Sequence, residues 1–113
     1  MHHKPYRMKI EFEKEYLLQL YSEGKAKNKK YRFPKTVVSK YIQTIDKLRA
    51  AERIEDLFPI KSLHYETLKG DKKDLESVRV NLQYRIEFRS SVQGEPPDTI
   101  TICSIVELSN HYK

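Results

Sequence analysis

The chain has 113 residues, 38% of them apolar and 34% charged, with a net charge of +6. That length supports a single domain, residues 1–113, with one modest core. No apolar run approaches the roughly 18 residues of a membrane-spanning helix. Cys103 is the only cysteine, which excludes an internal disulfide and a cysteine-based metal cage. The opening Met1-His2-His3-Lys4-Pro5 leads into charged sequence without the apolar stretch of a signal peptide, so the expected location is the cytoplasm, with no membrane partner. The charge is uneven: residues 1–50 hold 13 Lys/Arg against 5 Asp/Glu, and residues 51–113 hold 9 against 11. A basic half on a small domain points to a polyanionic partner, because neutralised phosphates release their counterions. The competing reading is ordinary solubilising charge.

Met8-Lys9-Ile10-Glu11-Phe12 alternates apolar and charged residues and predicts a half-buried strand. Tyr16, Leu17, Leu20 and Tyr21 then recur at helical spacing, with Gly24 placed to end the helix. Lys25 to Arg32 is a basic run that reads as a loop or helix end. Pro34 suits the first turn of a second helix, where its missing N–H costs nothing. Val37, Val38, Tyr41, Ile42, Ile45 and Leu48 make one apolar stripe along that helix. Ile54, Leu57 and Phe58 continue briefly before Pro59.

The period then changes. From Val78 to Phe88 every even position is apolar or aromatic and every odd one is polar, which predicts two strands joined by a tight turn near Asn81–Gln83. Gly94-Glu95-Pro96-Pro97-Asp98 is a loop, and Thr99 to Leu108 is the last strand. The order β-α-α-β-β-β predicts an α+β domain, with two helices packed on one face of a mostly antiparallel sheet.

If helices cover one face, the other presents Arg79, Asn81, Gln83, Arg85 and Arg89. Guanidinium groups pair with two phosphate oxygens at once, so this face can bind a nucleic-acid backbone; it can equally be an ordinary solvated sheet face. Arg79, Gln83 and Arg89 are its RNA-binding candidates, together with Lys72 and Lys73 just before the hairpin. Two segments place a histidine near a tyrosine and a lysine: His64-Tyr65-Glu66-Thr67-Leu68-Lys69, and His111-Tyr112-Lys113. Histidine moves a proton near neutral pH, and a cation stabilises a developing phosphorane. RNA cleavage through its own 2′-hydroxyl needs only those roles, although surface histidines such as His2 and His3 are usually inert. There is no P-loop, GxSxG, HExxH or glycine-rich dinucleotide loop, and no acidic cluster with metal-binding spacing, so neither a metal nor a cofactor is expected. Tyr16, Tyr21 and Tyr41 read as packing residues, and Cys103 as a small buried side chain.

Leu68-Lys69-Gly70-Asp71, Ser77-Val78-Arg79-Val80-Asn81 and Gln83-Tyr84-Arg85-Ile86-Glu87-Phe88, followed by a terminal histidine, resemble HigB-type toxins of the RelE/ParE superfamily. The resemblance covers residues 8–113 in element order, with specific motifs between His64 and His111. It implies a type II toxin that inhibits translation as a ribosome-dependent mRNA endonuclease. It also implies a helix-turn-helix, HigA-like antitoxin, with operator DNA bound only through their complex. On that resemblance Lys69 and Arg85 stabilise the scissile phosphate and Arg79 holds the RNA backbone. His111 acts as general acid or base, and His64 as a second proton-transfer group. Relatives often close on Asp-Tyr-His, whereas Ser109-Asn110-His111 stands here with Tyr112 one place later, so Tyr112 is the candidate for the tyrosine. Two alternatives share these features: a ParE-like toxin of the same fold that acts on DNA gyrase and cuts nothing, and a non-catalytic RNA- or ribosome-binding domain dependent on Lys25–Arg32.

Overall fold

The computed structural model describes residues 8–110. In chain order they form β1 (Met8–Phe12), α1 (Glu15–Glu23), α2 (Lys35–Ala50), β2 (Glu66–Thr67), β3 (Glu76–Arg79), β4 (Tyr84–Gln93) and β5 (Ile100–Asn110), with short 3-10 turns between them. The five strands make one sheet in the order β1-β5-β4-β3-β2. The first strand runs parallel to the last, and every other pairing is antiparallel. This is the expected α+β class, with one strand more than the hydrophobic period revealed. Two residues, Glu66 and Thr67, are too few to show a period.

Local chemistry sets the helix ends. Gly24 closes α1 with φ 74°, a left-handed conformation that glycine takes without steric cost, and donates its N–H to the Leu20 carbonyl at 3.1 Å. Pro34 lies one place before α2 rather than inside it. Its carbonyl accepts from the N–H groups of Val37 and Val38 at 2.9 and 3.1 Å. The stripe Val37, Val38, Tyr41, Ile45 and Leu48 is buried, while Ile42 is only half-buried at its margin. Tyr41 is fully buried and donates its hydroxyl to the Leu17 carbonyl at 2.7 Å, fastening α2 to α1.

The helices cover the sheet face carrying Met8, Val78, Ile86, Phe88, Cys103 and Ile105, which are buried with Leu17 and Leu20 in one core. Burial of each large apolar side chain contributes about 1.5–3 kcal/mol. Two 3-10 turns, Ile54–Leu57 and Lys61–Leu63, add Leu57 and Leu63 to that core and deliver the chain to the β2 edge. Among the described residues, no helix is long and apolar enough to cross a membrane.

Candidate phosphate-binding concavity

The turn between β3 and β4 fixes the site. Asn81 accepts the N–H groups of Gln83 and Tyr84 on its side-chain oxygen, at 2.8 and 2.7 Å. That side-chain turn closes the hairpin in one register, with Arg79 directly opposite Arg85. Like charges in that position are destabilising. The sheet tolerates them because Glu87, two residues along β4 on the same face, meets Arg85. Its carboxylate accepts from Arg85 Nε and Nη2, each at 3.0 Å. Lys72 reaches the same carboxylate from the turn before β3, its Nζ at 2.8 Å from one oxygen and 3.1 Å from the other. Glu87 is only 2% exposed, so two cations are anchored on a carboxylate sunk into the sheet surface.

This corrects the simple alternation of the β3–β4 strands. Glu87 occupies one of the alternating polar positions, yet it is buried beneath the cations it holds. Arg89 stays on that face but does not line the concavity formed by Arg79 and Arg85. It pairs with Glu13 at 3.3 Å, beside Ser104, toward the β1–β5 end of the sheet. Between Glu87↔Glu107 and Phe88↔Ile105 the register slips by one residue on β5, which shifts the two ends of the face relative to each other.

Arg79 and Arg85 form one wall of a concavity of about 100 Å³, completed by His64, Glu66, Ser77, Asn81 and Tyr84. Among the described residues no carboxylate lies within ion-pair distance of Arg79. His64 is exposed and takes φ 44°, a left-handed conformation uncommon outside glycine, at the end of the Lys61–Leu63 turn. Glu66 stands next to it across Tyr65, whose hydroxyl donates to Glu76 at 2.6 Å. The concavity therefore gathers two arginines, an imidazole and a carboxylate, which can bind a phosphate and move protons beside it.

Of the other expected residues, Gln83 is exposed in the hairpin turn and does not line the concavity. Lys69 and Lys73 flank the Gly70–Lys72 turn, both exposed and outside the lining. Only Lys72 of the three lysines is tied to the arginine wall. His111 and Tyr112 lie outside the described residues; Asn110, the residue before them, pairs with Tyr84 at the concavity's edge. Glu66 and Glu87 were not singled out from the sequence. Glu66 could have been found as the only carboxylate near His64 in that segment, whereas nothing in the local pattern marks Glu87 as buried. Among the described residues, no three His, Cys, Asp or Glu side chains gather to hold a metal ion.

A family model described as the RelE-like toxin of type II toxin–antitoxin system HigB matches residues 10–99. A solved YoeB/ParE toxin from Agrobacterium tumefaciens is similar at a TM-score of 0.49 and 19% identity, over 93% of this chain and 100% of that one. No curated protein matches the sequence.

Proposed function

Because the chain belongs to the HigB family of RelE-like toxins of type II toxin–antitoxin systems, we propose that it inhibits translation by cutting messenger RNA on the ribosome. The observation that carries this reading is the opposed pair Arg79 and Arg85, set with His64 and Glu66 in one concavity. A scissile phosphate seated there meets two guanidinium groups, with Lys72 held alongside through Glu87. Lys69, on the adjoining turn, adds positive charge to the approach.

The chemistry uses the RNA's own 2′-hydroxyl. Its oxygen bonds to the adjacent phosphorus as its proton passes to a base, and the phosphorus–O5′ bond breaks as an acid protonates O5′. The products are a 2′,3′-cyclic phosphate and a 5′-hydroxyl. Arg79 and Arg85 offset the charge that grows on the phosphorane oxygens. His64 and Glu66 are the described proton-transfer groups in the concavity; His111 and Tyr112, which follow Asn110 in the chain, complete the candidate set. No step calls for a metal or cofactor. The ribosome supplies orientation of the substrate, which an open concavity this small does not.

The partner of such a toxin is a helix-turn-helix, HigA-like antitoxin, and the pair binds operator DNA through the antitoxin. The direct test incubates purified protein with programmed ribosomes and, separately, with the same mRNA alone. Cutting on ribosomes, poor cutting of free mRNA and 5′-hydroxyl fragments are expected. Fast cutting of free mRNA that EDTA abolishes contradicts the proposal.

A further inference from the structure

From residue 24 to residue 45 the chain carries seven Lys/Arg and no Asp/Glu. None of the seven forms an ion pair with a described residue; the cations that do so are Lys9, Lys14, Arg53, Lys72, Arg85 and Arg89. Three of them, Lys25, Arg32 and Lys35, rim a groove of about 250 Å³ between the end of α1 and the start of α2. Its floor is apolar, built by Leu20, Ala26, Val38 and Phe33.

An unneutralised cationic rim around an apolar floor selects an anionic partner that also has an apolar side chain to bury. The aromatic rings argue against a nucleobase. Tyr31 stacks on Tyr16 with centroids 3.8 Å apart and planes 3° from parallel, and Lys30 stands over the Tyr31 ring at 5.6 Å. Phe33 is set edge-on against Tyr84 at 5.6 Å and 82°. These rings are committed to one another, where single-stranded nucleic acid needs open ring faces for stacking. An aliphatic or aromatic side chain flanked by carboxylates fits both floor and rim.

We propose that this groove docks an acidic segment of a partner protein, with one apolar side chain on the floor and carboxylates against Lys25, Arg32 and Lys35. Resting on the toxin–antitoxin reading above, the partner is the antitoxin. Phe33 in the groove touches Tyr84 in the concavity, so a segment seated here lies one aromatic pair from the arginine wall. It obstructs the approach of ribosome-bound mRNA without entering the concavity.

The test uses the full chain co-expressed with the product of the adjoining small reading frame, comparing wild type with two charge reversals. One is Lys25→Glu/Arg32→Glu/Lys35→Glu, at exposed rim positions; the other is Lys27→Glu/Lys29→Glu/Lys30→Glu, equal in charge but outside the groove lining. Matching thermal melts establish that both variants fold. The rim variant should bind the partner at least about tenfold more weakly, mainly through slower association, and escape its inhibition, while the other variant stays within about threefold of wild type. Equal weakening by both variants reduces the effect to diffuse charge and overturns the groove. An intact complex with lost ribosome-dependent cleavage in the rim variant makes the groove an RNA surface and overturns the proposal as well. If wild type itself binds no such product, the toxin–antitoxin reading falls and takes this proposal with it; a wild-type complex that the rim variant also forms defeats this proposal alone.

Discussion

Arg85 places Nε and Nη2 each 3.0 Å from one carboxylate oxygen of Glu87, a side chain only 2% exposed on the sheet face opposite the helices. A guanidinium held by two of its N–H groups cannot swing freely, so Glu87 sets where Arg85 presents its charge.

Glu87→Gln should therefore lower cleavage about tenfold to a hundredfold, since displacement of a reacting group by an ångström costs about that much. Arg85→Ala should cost more, about a hundredfold to a thousandfold, by removing a preorganised charge outright. It should also destabilise the fold by about 1–3 kcal/mol, because Glu87 loses one of the two cations that hold it among the described residues. Urea unfolding beside single-turnover cleavage separates the two effects. Wild-type rates for Glu87→Gln would show that Arg85 needs no such anchor.

Lys72 and Lys69 stand three residues apart with different attachments. Lys72 is bonded to Glu87, so Lys72→Ala should lose about 1–2 kcal/mol of stability. Exposed Lys69 should change stability by less than about 0.5 kcal/mol on conversion to alanine, yet reduce cleavage if it lends charge to the phosphate. Paired denaturation curves and rates check this. Equal stability losses for the two variants would contradict it.

His64 occupies a left-handed conformation that costs a residue with a Cβ about 1–2 kcal/mol. His64→Gly should be at least as stable as His64→Ala, since glycine removes that strain. Both should lose about a hundredfold or more in cleavage if the imidazole moves a proton. A fully active His64→Gly would remove the imidazole from the chemistry and leave it a turn residue.

Burial pushes the Tyr16 phenol up to about 12 and raises Tyr41, Tyr65 and the Cys103 thiol in the same direction. Each folded group keeps its proton where the unfolded chain has lost it. The stability they contribute is thus complete below the unfolded values, near 9 for the thiol and 10 for the phenols, and falls as pH rises through the folded ones. Each group steepens the loss by about 1.4 kcal/mol per pH unit within its window. Melting temperatures from pH 7 to 11 should stay level to about 9 and then drop. A level profile to pH 11 would contradict the buried placement of these groups.

Much of this was legible in the sequence because each feature has a short period or a local cause. The stripe from Val37 to Leu48, the alternation from Val78 to Phe88 and the turn residue Asn81 each announce their element within a few positions. The same alternation placed Arg79 and Arg85 on one face. Strand order was not legible: the parallel pairing of β1 with β5 joins residues more than ninety positions apart. The register slip beside Glu87 belongs to β5, so β4 carries no sign of it. Nor does alternation distinguish a solvated glutamate from one buried under two cations, which is why Glu87 and the anchoring of Lys72 emerge only from the folded chain.

Growth arrest by this protein should follow from cuts in translated messages. Mapping the 5′ ends of cellular RNA after brief induction checks this for wild type and for Arg79→Ala, the wall arginine with no ion pair among the described residues. New 5′-hydroxyl ends within coding regions are expected for wild type. They should disappear when translation is blocked and be strongly depleted for Arg79→Ala. Growth arrest with intact mRNA and an induced DNA-damage response would contradict the nuclease and favour an action on gyrase.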